Sequence, residues 1–201
     1  MNINIAIDCD EIIADLSSQL ILFHNKEYGT NLTKEDFTSY CFHQVWGGTV
    51  EEETKKVSQF FESNYFKEVV PTEGSQEAMN FLKKKGHNLF IVTGRVYSLT
   101  EETLMFIEKY FPNIFLGVSF ANTYGTSGPR MKKSVMCRKL NVRLIIEDDP
   151  IHITDCTNFG IPVFVLDKPW NQGPLPEKAI RVFDWKQMLN EISAFALKVK
   201  Y

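Results

Sequence analysis

Apolar residues along this chain fall into two alternating rhythms. Short apolar runs at Asn2 to Ile7, Asn88 to Val92, Phe115 to Phe120, Val142 to Ile146 and Pro162 to Leu166 have the length of strands. The first two stop in polar residues, at Asp8 and at Thr93-Gly94. Between the runs, from Thr72 onward, apolar residues recur at helical spacing: Ala78, Phe81 and Leu82; Leu104, Ile107, Tyr110 and Phe111; Val135, Met136 and Leu140. The closing segment, Trp185 to Lys200, puts Met188, Leu189, Ile192, Phe195, Ala196 and Val199 on one face and predicts a helix docked on a sheet. Strands apolar on both sides that alternate with helices predict an α/β fold, a parallel sheet covered by helices on each face with right-handed crossovers.

The rhythm breaks once, between the first strand and Pro71, where no second strand appears. Leu16 to Tyr28 carries apolar residues at 16, 20, 23 and 28 and stops at Gly29; Thr33 followed by Asp36 reads as a helix start; Val50 to Phe61 is a helix that begins acidic and turns apolar. Gly47-Gly48 marks a loop between them. Residues 16–71 therefore read as a helical insertion in a core made of residues 1–15 and 72–201.

Composition narrows the partners. The 201 residues suit one α/β domain with a small insertion, and 44% hydrophobic with 23% charged residues lie near the globular average, which excludes a disordered or fibrous chain. With 22 basic residues against 25 acidic ones the net charge is -3, so no global field draws a nucleic-acid polymer or an anionic membrane, and any anionic ligand must be held locally. No apolar run approaches the roughly 20 residues of a membrane span. The N-terminus shows no basic segment followed by an apolar one, so the expected location is cytoplasmic. Cys9, Cys41, Cys137 and Cys156 form no CxxC pair and read as reduced thiols scattered in a core; His24, His43, His87 and His152 show no metal-ligand spacing.

The chemistry gathers at strand ends. In an open parallel sheet ligands bind beyond the carboxyl ends of the strands, where strand order reverses. The first strand ends in Asp8-Cys9-Asp10, the second in Thr93-Gly94-Arg95 and the fourth in Glu147-Asp148-Asp149, while Lys132-Lys133 begins the helix before that fourth strand. Two carboxylates at one edge, Asp8 and Asp148, repel unless a cation lies between them, which points to a hard divalent ion, Mg²⁺ above all. A hydroxyl and a lysine beside it suit phosphate. Taken singly these residues are ordinary, since aspartates cap helices and lysine pairs at helix starts face solvent. Their conjunction carries the reading.

The constellation resembles the haloacid dehalogenase superfamily of phosphohydrolases. Ile5-Ala6-Ile7-Asp8-Cys9-Asp10 matches its first motif, Ile91-Val92-Thr93 its second, Lys133 its third and Glu147-Asp148 its fourth, in the family's order and across essentially the whole chain. Within it, Asp8 to Leu16, Thr93-Gly94-Arg95, Glu147-Asp148-Asp149-Pro150 and Lys168-Pro169-Trp170-Asn171 are similar to the 5'-nucleotidase C branch, the 5'(3')-deoxyribonucleotidases and their bacterial relatives. The chain departs from that branch at Glu11, where relatives usually carry Gly, at Ile12, and at Glu147, where they often carry Asp.

The resemblance implies a Rossmann-like core with a small helical cap, and a Mg²⁺-dependent phosphomonoester hydrolase working through an aspartyl-phosphate. Asp8 would be the nucleophile and Asp10 the general acid and base. Asp8, Asp148 and the Asp10 backbone carbonyl would hold the ion. Thr93 and Lys133 would bind the phosphate, with Gly94 and Arg95 beside it. The implied partner is a small phosphorylated substrate, a nucleoside monophosphate first, with a sugar phosphate or a non-catalytic binding role as alternatives. Aromatics of the insertion can stack on a base, Phe42 and Trp46 beside the glycine loop foremost, although such residues also make cap core. Trp170 stands equally for packing or for the active edge, Arg95 for substrate or a local ion pair, and Glu147 for the metal site or a basic partner. Asp149 is expected to face solvent, and Cys9, between the two aspartates, to point into the core.

Overall fold

The computed structural model describes residues 2–125 and 127–198; Val199, assigned above to the last helical face, lies outside them. Its strands are β1 (Asn4–Ile7), β2 (Asn88–Thr93), β3 (Gly117–Phe120), β4 (Val142–Glu147), β5 (Val163–Leu166) and β6 (Ala179–Val182). All pair parallel in one sheet of order β3-β2-β1-β4-β5-β6. The helices are α1 (Leu16–Tyr28), α2 (His43–Trp46), α3 (Val50–Glu62), α4 (Asn64–Lys67), α5 (Ser75–Lys84), α6 (Thr100–Tyr110), α7 (Lys133–Lys139), α8 (Pro150–Asn158) and α9 (Trp185–Lys198). None of them is long and apolar enough to cross a membrane.

Alternation along the strands sorts side chains into two cores, as the two-residue period requires. Ile5, Ile7, Leu89, Ile91, Leu144, Ile146, Phe164 and Leu166 pack on one face against α5, α6 and α9. Ala6, Val92, Ile145, Val163 and Val165 pack on the other against α7 and α8. Because both faces are covered, the central strands could be apolar throughout, which is why their runs stand out in the sequence. β6 gave no such run: it is an edge strand with Val182 buried and Ile180 exposed. In α6 the buried stripe is displaced from the apolar spacing. Leu104 is exposed while Thr103 is buried, its hydroxyl donating to Leu99 O at 2.6 Å and accepting from Arg95 Nη1 at 2.9 Å. All four cysteines are free; Cys9, Cys137 and Cys156 are buried, but Cys41 is exposed, contrary to the expectation of a core thiol.

Residues 16–71 hold α1 to α4 and a 3-10 turn at Lys34–Asp36, which is all that the Thr33 capping box starts. The chain leaves and rejoins the core side by side, with Asp15 N donating to Val70 O at 2.9 Å and Thr72 N to Ile13 O at 3.1 Å. Phe23, Phe37, Phe60 and Phe66 of this segment join the apolar cluster on the α5 face.

Candidate active site

β1 is flanked by β2 on one side and β4 on the other, so strand order reverses at β1 and leaves a crevice beyond its carboxyl end. Asp8 N donates to Ile146 O at 3.0 Å, which fixes the Asp8 side chain beside the end of β4. Asp8, Glu147 and Asp148 each bring an oxygen within 4.8 Å of the others; among the described residues they are the one group of His, Cys, Asp or Glu so placed. Lys133, the first residue of α7, is wholly buried with Nζ 2.6 Å from Asp8 Oδ1 and 2.7 Å from Glu147 Oε2. The ammonium thus bridges the two carboxylates. Lys132 points outward, with its side chain 71% exposed.

Burial raises the carboxyl of Asp8 to about 7, and the charge of Glu147 adds to the rise against the opposing Lys133. Asp148 is pushed well above the carboxylate range, again by burial first and then by Glu147 and Asp8. Lys133 moves the other way: burial disfavours its charge, but Asp8 and Glu147 more than offset that and hold the ammonium above its ordinary value. Raised in this way, the acids lower the charge of the site by keeping protons; with all three ionised, one ammonium would leave two negative charges. One divalent cation would balance them.

The hydrogen bonds separate the roles these acids can play. Glu147 spends both oxygens, Oε2 on Lys133 and Oε1 on the amides of Asp148 and Asp149 at 3.2 Å each, and so acts as an anchor of lysine and backbone. Asp148 places both of its donors on Oδ2, Tyr40 Oη at 2.7 Å and Trp170 Nε1 at 2.9 Å, while Oδ1 is buried without a partner. A lone buried carboxylate oxygen beside Asp8 is what a hard cation needs, and an all-oxygen site fits Mg²⁺.

Asp10 faces Arg95. Its Oδ1 accepts from Nη2 at 2.6 Å and its Oδ2 from Nε at 3.0 Å, and the guanidinium lies 5.3 Å over the Phe66 ring. Arg95 is therefore committed to Asp10 and Thr103. Thr93 is wholly buried at the end of β2, its Oγ1 accepting from Arg95 N at 3.2 Å. Gly94 follows where a Cβ would come within 3.2 Å of His152 Nε2 and 3.3 Å of Thr123 Oγ1. Cys9 is fully buried in the α5-face core.

Asp10, Phe37, Tyr40, Phe42 and Trp170 line a narrow cleft over these groups. Phe42 thus reaches the site, but Trp46 does not. It stacks on His24, with ring centroids 4.5 Å apart at 7°, and lines a separate cavity with Tyr28 and Lys56. Asp149 is buried, not solvent-facing, because it caps α8 through Oδ1 and Ile151 N at 2.8 Å; the following Pro150 was its signal in the sequence. Asn171, whose Nδ2 donates to Asp148 O at 2.9 Å, and Tyr40 were absent from the expected site, since both meet Asp148 only through tertiary contacts.

Residues 1–126 match the model of the family described as 5' nucleotidase, deoxy (pyrimidine), cytosolic type C protein. A nucleotidase of Clostridium acetobutylicum is 26% identical over 92% of this chain and 91% of its own. A haloacid dehalogenase-like hydrolase of Streptococcus pneumoniae superposes with a TM-score of 0.69 at 15% identity, covering 95% of this chain and 98% of that one. A subfamily IA hydrolase of that superfamily from Geobacter sulfurreducens gives 0.63 at 17%, covering 95% and 96%.

Proposed function

The chain belongs to the 5' nucleotidase, deoxy (pyrimidine), cytosolic type C family, and we propose that it is a Mg²⁺-dependent hydrolase of nucleoside monophosphates, of the haloacid dehalogenase type, that works through a phosphorylated Asp8. The observation that carries this reading is the buried cluster of Asp8, Asp148 and Lys133, short of positive charge and with a free oxygen on Asp148. Asp8, Asp148 and the Asp10 carbonyl would hold Mg²⁺, which when bound screens the carboxylate from the anionic phosphate and draws charge from its oxygens.

In the first step an Asp8 oxygen attacks phosphorus and the bond from phosphorus to the ester oxygen breaks. Asp10 gives that oxygen its proton, so the alcohol leaves neutral. In the second, water attacks phosphorus, Asp10 takes the water's proton, and the bond to Asp8 breaks to restore the free carboxylate and release phosphate. Lys133 and Thr93 bind the phosphoryl oxygens and are held before substrate arrives, as electrostatic stabilisation requires. Both Asp10 oxygens are engaged by Arg95, so proton transfer requires the carboxyl to turn from Arg95 toward the ester oxygen.

We take residues 16–71 as a cap that selects substrate over a core of residues 1–15 and 72–201. Phe42, Tyr40 and Trp170 line the narrow cleft beside Asp10, and an aromatic lining would suit a base more than a sugar. Free thiols, Cys41 exposed among them, support a reducing, cytoplasmic setting. A panel of nucleotides, sugar phosphates and a small aryl phosphate, assayed for phosphate release with Mg²⁺ and with chelator, tests the reading. Asp8→Asn should fold and release none. Turnover that persists in that variant refutes the nucleophile, and preference for a sugar phosphate refutes the substrate class.

A further inference from the structure

The carboxylate of Asp148 is gripped from two directions. Tyr40 belongs to the insertion and Trp170 to the turn after β5, yet both donate to the same oxygen, Oδ2, at 2.7 and 2.9 Å. Their rings meet edge to face, centroids 5.5 Å apart at 76°, so each keeps the other in place. A carboxylate with two donors on one oxygen cannot rotate without losing both bonds. The rotation that is blocked is the one that would take Oδ1, buried and unpartnered, away from its present direction.

We propose that Tyr40 and Trp170 are positioning residues that fix Oδ1 of Asp148 as a metal ligand, and that the site therefore reaches full metal affinity only with the insertion closed over the strand ends. This rests on the metal-dependent reading above. It adds that the insertion does more than recognise the substrate: through one tyrosine hydroxyl it is part of the shell around the ion. Outer partners of this kind orient a ligand and set its strength. Linkage makes the effect reciprocal, since closure that favours metal binding must itself be favoured by metal.

The test is metal binding without substrate, by calorimetry with Mg²⁺ and by electron paramagnetic resonance with Mn²⁺ as probe, on the intact protein and on Tyr40→Phe and Trp170→Phe. Each substitution keeps an aromatic ring and removes the donor. Tyr40→Phe should weaken binding about tenfold or more, in the range typical of lost outer-shell hydrogen bonds. The double variant should lose less than the product of the single losses, because the two donors share one acceptor. Hydrogen exchange in residues 16–71 should slow on adding Mg²⁺ to the intact protein and respond less in Tyr40→Phe; a tyrosine that serves only to pack the insertion would leave the metal affinity unmoved. Wild-type affinity in Tyr40→Phe and in Trp170→Phe overturns the positioning role alone. An intact protein that binds neither ion overturns the metal-dependent reading and this inference with it.

Discussion

Replacing Lys133 by Met tests the electrostatic core of the site. The ammonium is wholly buried and lies 2.6 Å from Asp8 and 2.7 Å from Glu147, so its removal leaves two buried carboxylates facing each other beside a third. Breaking a buried pair of this kind costs about 3 to 5 kcal/mol, because the charge left behind is no longer compensated. In a chain of this size that corresponds to a fall in melting temperature of very roughly 6 to 20 °C. The loss must depend on pH. Lys133 is one of the groups that lower the Asp8 carboxyl, so without it Asp8 rises further above its value of about 7 and escapes the penalty by taking up a proton. Chemical unfolding with chelator present should therefore show a large deficit near pH 8 and a smaller one near pH 5.5, and Mg²⁺ should recover part of the deficit at pH 8. Turnover should fall at least about 10²-fold, the scale for removing a preorganised donor to a developing oxyanion. Wild-type stability at both pH values would show that the carboxylates are not ionised together, and the charge argument for a cation would fall.

The same shift sets the behaviour of the unaltered protein. Asp8 is raised from 3.8 to about 7, so between those values the folded chain binds more protons than the unfolded one and stability without metal declines as pH rises through that window. Thermal scans with chelator should place the maximum on the acid side of neutrality, and Mg²⁺ should raise the midpoint more at pH 8 than at pH 5; equal effects would count against an ion bound between these acids. Asp10→Asn should keep metal affinity, which uses the unchanged carbonyl, and lose at least about 10²-fold in rate; an unaltered rate removes Asp10 from proton transfer. Phe42→Ala should slow nucleotide turnover by the equivalent of about 1 to 3 kcal/mol while sparing a small aryl phosphate, whereas Trp46→Ala, outside the cleft, should affect both through stability alone. Nucleotide selectivity that moves with Trp46 and not with Phe42 would reverse that assignment.

The parts of the fold that were legible are those with local causes. Central strands covered on both faces write apolar runs, and Asp8, Thr93 and Glu147-Asp148 follow directly from where those runs stop. Lys133 was separated from Lys132 by its spacing to Leu140, and the two differ in direction, since one begins α7 buried and the other faces solvent. Glu11 was visible as a departure but not as a solution. Its φ of 60° is the left-handed conformation that glycine adopts freely and that costs another residue roughly 1 to 2 kcal/mol. The side chain offsets this by accepting from Ser17 N at 2.5 Å and Ser17 Oγ at 3.0 Å, a carboxylate at the start of α1 where helix dipole and free amides favour one. Trp46 and Phe42 looked alike because they lie at the end and just before the start of α2, close to the glycine loop. What divides them is His24 of α1, whose flat face takes the indole away from the cleft.

β6 and its Arg181, which escaped the sequence reading, are linked to the site by one line of contacts across the sheet. β6 has a weak pattern because an edge strand buries little, yet it carries Arg181, whose guanidinium donates to Asp167 Oδ1 at 2.8 Å, Asn171 Oδ1 at 2.7 Å and Asn171 O at 2.6 Å. Those bonds lock the turn after β5. The locked turn in turn presents Asn171 Nδ2 to the carbonyl of Asp148 at 2.9 Å and Trp170 Nε1 to its carboxylate. Asp148 is thus held at its backbone and at its side chain by a turn that the outermost strand secures. Each bond in the series is ordinary, and the benefit comes from sequence positions far apart meeting at one acid. Arg181 interrupts the apolar residues Ala179, Ile180 and Val182 of this short edge strand, which hid it from a search for hydrophobic runs, and the same side chain is what holds the turn.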